Sequence, residues 1–179
     1  MVQKLLQLIG IILHLPDENQ LAKVNDFSKK GEDVVRYLKY GGLPAEGIEA
    51  DGGIYGAQHA DISLFTMNFR QPVAALQILD SDEEWKWIKP WEDTIMVNVG
   101  DILKALTGGY VKSGVHRVHA PPREQIHLDR FSVLFVCRSV DFALSIVKIL
   151  KVDPLGVTAT SLWIQSRTVR FFREQRRKL

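Results

Sequence analysis

The residues best equipped for chemistry in this chain are His59 and Asp61, in His59-Ala60-Asp61, and His116, in Ser113-Gly114-Val115-His116-Arg117-Val118. Two imidazoles and one carboxylate form the facial set that suits a non-haem Fe(II) centre. They cover one face of an octahedral ion and leave three positions for co-substrate and dioxygen. A further pair, Arg130 and Ser132 in Arg130-Phe131-Ser132, alternates along an apolar run, so an extended strand turns both side chains to one face. A guanidinium fork with a hydroxyl beside it is a clamp for the far carboxylate of a 2-oxo acid. His59 and Asp61 are also two apart and would share a strand face in the same way. His116 must arrive from a distant strand, so the three ligands meet only in a barrel that brings residues 59 and 116 together.

The remaining histidines compete weakly for the metal. His119 lies three residues beyond His116 and on a strand would face the other way; His127 sits among Glu124, Gln125 and Asp129; His14 is close to Pro16. All three are expected to be surface or structural residues.

The elements that must position these groups follow from periodicity. Residues 2–15 are apolar around most of a helix that Pro16 stops, and Asp17 is placed to cap a second helix over 18–30, where Leu21, Val24 and Phe27 recur. From Val34 the period changes to that of strands: 34–40, one or two strands within 54–69, 73–79 and a return at 85–88, 94–99, 110–119, and 130–138. Gly100-Asp101 turns the chain into a short helix through Leu106, stopped by Gly108-Gly109, and residues 41–53 form a loop. Helices are expected again at 142–150 and 155–177. Short strands at near-regular spacing predict an all-β sandwich or barrel.

In order and in kind, the motifs resemble the 2-oxoglutarate and Fe(II)-dependent oxygenases of the isopenicillin N synthase-like group. The resemblance covers about residues 34–135. It is carried by Val35-Arg36-Tyr37-Leu38-Lys39-Tyr40, His59-Ala60-Asp61, Leu76-Gln77-Ile78-Leu79, Trp85, Val97-Asn98-Val99-Gly100-Asp101, Tyr110-Val111-Lys112-Ser113, His116-Arg117-Val118 and Arg130-Phe131-Ser132. It implies a mainly β fold with flanking helices, a double-stranded β-helix or jelly-roll barrel. It also implies Fe(II), 2-oxoglutarate and O2 as cofactors. Arg130 and Ser132 would bind the C5 carboxylate of 2-oxoglutarate, with Tyr40 either supplying a third hydrogen bond or serving as a core aromatic. The implied activity is oxidation of a small organic molecule by hydroxylation, desaturation or cyclisation, with release of succinate and CO2. Phe65 and Met67 either face the substrate cavity or fill the barrel core. Asn98, Gly100, Asp101 and Tyr110 are expected to do structural work, and Ser113 and Arg117 to orient His116.

Members of this group carry a longer region before the first helix, so the alternative expectation is a truncated, catalytically inactive jelly-roll remnant with a binding or regulatory role. A cupin-type metal protein that uses no 2-oxo acid is a third reading, in which Arg130 and Ser132 have no ligand.

Bulk properties set the frame. The chain has 179 residues, 46% of them hydrophobic and 25% charged, with a net charge of +2, which fits one globular domain over 1–179 and singles out no highly charged partner. Within it, 1–31 is a helical lead-in, 34–138 the jelly-roll core and 139–179 a C-terminal helical segment. Arginines and Lys178 crowd the last turns from Arg167, which reads as a solvated helix face rather than a nucleic-acid site. The apolar run at 5–13 is too short to span a bilayer. Cys137 is the only cysteine, so no internal disulfide forms, and a reducing, cytoplasmic setting is expected. The expected partner is a small-molecule substrate, with no nucleic acid and no membrane, and the expected state is a monomer.

Overall fold

A computed structural model describes residues 1–44 and 52–140. The chain divides into two compact units, Met1–Phe142 and Ala143–Leu179, and every described residue belongs to the first. The helices expected at 142–150 and 155–177, and the basic residues from Arg167 on, lie outside the described residues.

Helix α1 (Val2–Ile12) buries Val2, Leu6 and Gly10, which recur every four residues on one face. The chain then folds back so closely that a Cβ on Gly10 would lie 2.4 Å from the Glu18 carbonyl oxygen. The helix stops short of the expected residue 15, and the turn before Pro16 is made by His14 at φ +52.

The second expected helix, over 18–30, is absent; a single 3-10 turn, Ala22–Val24, takes its place. Short polar side chains compete there for the backbone. Asp17 Oδ1 accepts from the Asn19 amide, Asp26 Oδ1 accepts from the Ser28 amide and hydroxyl, and Asn25 Nδ2 donates to the Arg138 carbonyl 2.8 Å away. The three-residue recurrence of Leu21, Val24 and Phe27 is the period of a 3-10 turn rather than of an α-helix. Phe27 is left exposed.

The barrel strands are β1 (Val34–Tyr40), β2 (Ile54–His59), β3 (Phe65–Phe69), β4 (Leu76–Leu79), β5 (Trp85–Trp87), β6 (Ile95–Val99), β7 (His116–His119) and β8 (Arg130–Cys137), with helix α2 (Asp101–Leu106) after β6. They form two four-stranded sheets, ordered β1-β8-β3-β6 and β2-β7-β4-β5, and every pairing is antiparallel. The chain passes back and forth between the sheets, which is the mainly β, double-stranded β-helix expected. The strand expected over 110–119 contracts to β7: the chain leaves Gly108 and Gly109 at positive φ, bends at Tyr110 and Val111, and runs irregularly over 112–115 before His116.

Directly opposed residues of an antiparallel pair project to the same face. Register therefore puts Arg130, Ser132, Leu134 and Val136 on one face with Tyr40, Leu38 and Arg36 of β1. Thr66 and Asn68 of β3 and Asn98 and Met96 of β6 share that inner face. The other face carries Phe65, Met67 and Cys137, which pack with Leu6, Leu21, Leu64 and Leu103 into the core beneath α1 and α2. Of the two options for Phe65 and Met67, the core position is the one that fits their packing here. They are only 3% and 4% exposed, and their alternation with Thr66 turns them away from the inner surface. No helix among the described residues is long and apolar enough to cross a membrane.

Candidate metal centre and co-substrate site

His59 closes β2 and His116 opens β7, and the two are paired across the sheet with ring centroids 4.4 Å apart. The β2–β7 register is irregular between Gly56 and His59. Such a bulge re-aims a side chain at a sheet end. Each ring is held at Nδ1 by a carbonyl two residues earlier, Ala57 O at 2.8 Å for His59 and Gly114 O at 2.9 Å for His116. A carbonyl only accepts, so each Nδ1 carries the proton and each Nε2 keeps its lone pair for a metal.

Asp61 lies between them, with Oδ1 3.5 Å from His59 Nε2 and Oδ2 3.8 Å from His116 Nε2. The ligand atoms of the three residues all lie within 4.8 Å of one another. Adjacent ligands about 2.1 Å from a single ion lie roughly 3 Å apart, so a small closure fits them to one face of a divalent cation. Among the described residues this is the one cluster of three such side chains.

Strand alternation does not place Asp61, because β2 ends at His59. The loop that follows is instead tied to the start of α2. The Asp101 amide donates to the Asp61 carbonyl at 2.8 Å, the Ile102 amide to Ser63 O at 3.1 Å, and the Gly100 amide to Leu64 O at 3.1 Å. Gly100 is required by contact rather than by φ, since a Cβ there would lie 2.3 Å from Ser63 O and 2.8 Å from Asp61 O. The Asp61 side chain is held from β6, where Asn98 Nδ2 donates to Oδ2 at 2.9 Å.

Burial pushes the Asp61 carboxyl up, yet its contacts with His59, Asn98 and Thr66, with His116 nearby, outweigh it and hold the group well below the usual carboxylate range. The His59 imidazole moves upward, chiefly through its contact with Asp61, against burial and the charge of Arg36. The carboxylate is thus anionic and ready for a cation.

Arg130 begins β8 and is 3% exposed. Its Nε donates to Val73 O at 3.3 Å, and its guanidinium carbon lies 5.5 Å from the centre of the Tyr40 ring. Burial lowers its pKa. Tyr40 is its register partner and stacks on Tyr55 at 5.7 Å. Ser132, also buried, follows on the same face opposite Leu38. The structure therefore gathers Arg130, Ser132 and Tyr40 on the inner surface that also bears Thr66, a partner of Asp61.

His119 turns away from His116, with its ring edge-on to Trp87 at 5.6 Å. Arg117, expected to orient His116, lies on that other face too. It donates to Gln77 Oε1 at 2.7 Å and stacks over Trp85 at 4.1 Å, so it ties β7 to β4 and β5. Sequence reasoning treats Asn98 as structural; its side chain contacts a candidate metal ligand. Tyr55 and Asn68 carry no sequence signal of their own, and each has a buried polar atom without a partner among the described residues.

The family model described as the 2OG-Fe(II) oxygenase superfamily matches residues 34–139. The chain belongs to this superfamily. It carries the His59, Asp61 and His116 set intact. A 2-oxoglutarate-dependent dioxygenase of Aspergillus fumigatus is 33% identical over 121 residues, which are 58% of this chain and 31% of that protein. Clavatol oxidase of Penicillium crustosum is 36% identical over 107 residues, 57% of this chain and 29% of the relative. This chain thus spans about a third of the length of these relatives. Among solved structures, a full-length Neurospora crassa protein in complex with alpha-KG and 5-formyluracil superposes with a TM-score of 0.70 at 26% identity, covering 77% of this chain and 44% of that one.

Proposed function

We propose that this superfamily member uses Fe(II), 2-oxoglutarate and O2 to oxidise a small organic molecule, by hydroxylation, desaturation or cyclisation, with release of succinate and CO2. The observation that carries this is the convergence of His59 Nε2, Asp61 and His116 Nε2 beside an inner surface bearing Arg130, Ser132 and Tyr40. Iron bound by the first three would supply the redox chemistry of oxygen activation. The chain's own residues hold and orient. Ala57 O and Gly114 O fix the imidazole tautomers, Asn98 fixes the carboxylate, and Arg130 with Ser132 and Tyr40 receives the C5 carboxylate. The buried site keeps the guanidinium pair out of competing water, which strengthens it. The small-molecule substrate class is supported by relatives named for clavatol oxidation and solved with 5-formyluracil or thymine.

A second reading, a catalytically inactive barrel with a binding or regulatory role, draws on a relative named as a probable inactive 2-oxoglutarate-dependent dioxygenase of Arabidopsis thaliana, 30% identical over 90 residues. Anaerobic titration of the apoprotein with Fe(II) and then 2-oxoglutarate separates the two. A visible charge-transfer band that is absent in His116→Ala supports the assembled site, and succinate release with a substrate panel then tests turnover. A folded protein that forms no band sinks the oxygenase reading. A band without turnover favours the inactive one.

A further inference from the structure

Along the inner face of β3, Thr66 is satisfied by the Ser63 hydroxyl at 3.2 Å and by Asp61. Asn68, the next residue on that face, is not. It is 9% exposed, and its Oδ1 is buried with no hydrogen-bond partner among the described residues. Its register partners are Leu134 on β8 and Met96 on β6, neither of which has a side-chain donor to offer. An apolar residue would fill such a place at lower cost, because a buried amide that loses water and gains no partner destabilises the fold. Asn68 also lines a cleft with Arg130, walled by Val73, Leu76 and Met96 and bordered by Arg70 and Lys89. Arg130 has no carboxylate partner among the described residues. A buried amide oxygen without a partner and a buried guanidinium without a carboxylate partner among the described residues thus line one cationic cleft, on the face that leads back through Thr66 to Asp61.

We propose that Asn68 is a co-substrate contact, offering its carboxamide to the carboxylate that Arg130 pairs with; this rests on the oxygenase reading of the site. A half-turn of the amide presents either its oxygen or its NH2 at the same point, so the group serves a carboxylate once one arrives. Asn68 then acts as a specificity residue. It holds the far end of the 2-oxo acid and sets how the chelating end meets the metal ligands.

The test uses the full chain, loaded anaerobically with Fe(II) and titrated with 2-oxoglutarate, following the charge-transfer band and, separately, the melting temperature with and without 2-oxoglutarate. Asn68→Leu is expected to weaken 2-oxoglutarate binding by about tenfold or more, the loss of one hydrogen bond to a charged group, while Fe(II) affinity is unchanged and the ligand-free protein melts no lower than wild type. Asn68→Asp, which sets a like charge against the carboxylate, is expected to weaken binding further. If both variants bind 2-oxoglutarate as wild type does, the proposal is overturned and the oxygenase reading survives. A ligand-free melting temperature well below wild type in Asn68→Leu, with Fe(II) affinity lost alongside, also overturns it and makes Asn68 structural. A folded wild-type protein that binds Fe(II) but not 2-oxoglutarate overturns both.

Discussion

Asn98 on β6 donates its side-chain amide to Asp61 Oδ2 at 2.9 Å, reaching the carboxylate from the strand position opposite Thr66. The contact leaves Asp61 Oδ1 toward His59 and fixes the rotation of the carboxylate. Partners of this kind typically account for about 10–100-fold in metal affinity. Asn98→Leu is expected to lower Fe(II) affinity by that factor with the barrel intact, read by anaerobic metal titration alongside circular dichroism. Wild-type affinity in the variant would leave Asn98 as a packing residue only.

Gly100 determines where the Asp61 loop can lie. At φ −100 its backbone accepts any residue, so the penalty for Gly100→Ala is contact alone: 2.3 Å to Ser63 O and Oγ, 2.8 Å to Asp61 O. Overpacking of this sort costs about 1–3 kcal/mol. Because the displaced atoms belong to the loop that carries Asp61, Fe(II) affinity should fall together with stability. Gly109→Ala is the contrast. That residue has open space but a φ of +81, so the strain of about 1–2 kcal/mol should appear in the melting temperature and leave metal affinity untouched.

Much of this site was legible in the sequence, because the chemistry needs particular side chains at particular strand spacings. His59, Asp61 and His116 converge, and Arg130, Ser132 and Tyr40 share a face. What sequence could not supply was parity relative to the core. Phe65 and Met67 alternate in the right period, but nothing local says which face α1 will cover. The same gap hid Asn68 and Asn98: Asn98 reaches Asp61 from β6, and Asn68 sits on the inner face between Met96 and Leu134, which leave its amide oxygen unpartnered among the described residues. Asp61 itself shows the limit of local rules: its place is set by amides of α2, far along the chain. The helix expected at 18–30 failed in part for a local reason, the capture of nearby amides by Asp17 and Asp26, and in part for a distant one, the pull of the Arg138 carbonyl on Asn25; the apolar recurrence masked both.

Arg130 sits buried without a carboxylate partner among the described residues, so the ligand-free fold carries an uncompensated cation. Replacing such a charge with an apolar side chain of similar length is often neutral or stabilising. Arg130→Met is therefore expected to melt at or above the wild-type temperature without ligand. It should also lose the stabilisation that wild type gains from 2-oxoglutarate, which at a hundredfold excess over Kd is about 2.7 kcal/mol. Differential scanning fluorimetry of the Fe(II)-loaded proteins with and without 2-oxoglutarate reads both. A ligand-induced shift preserved in Arg130→Met would remove Arg130 from the co-substrate site.

Cys137 ends β8 within the core beneath α1 and α2, fully buried. Burial, reinforced by the carboxylate of Asp33, pushes its thiol up to about 12, from 9.0 in an exposed chain. The sign follows from proton binding. Below pH 9 both folded and unfolded chains keep the thiol proton, and the group has no effect on stability. Above pH 9 the unfolded chain releases a proton that the folded chain retains, so stability falls as pH rises, by up to about 1.4 kcal/mol per pH unit until the folded thiol also titrates. Urea unfolding at pH 8 and pH 10 should show this loss in wild type and a smaller one in Cys137→Ala, where other groups titrate but the thiol is gone. At pH 8 the native protein should resist an aromatic disulfide reagent and react only once unfolded. Rapid labelling of the native state would mean that the α1 side of the barrel opens far more readily than its packing implies.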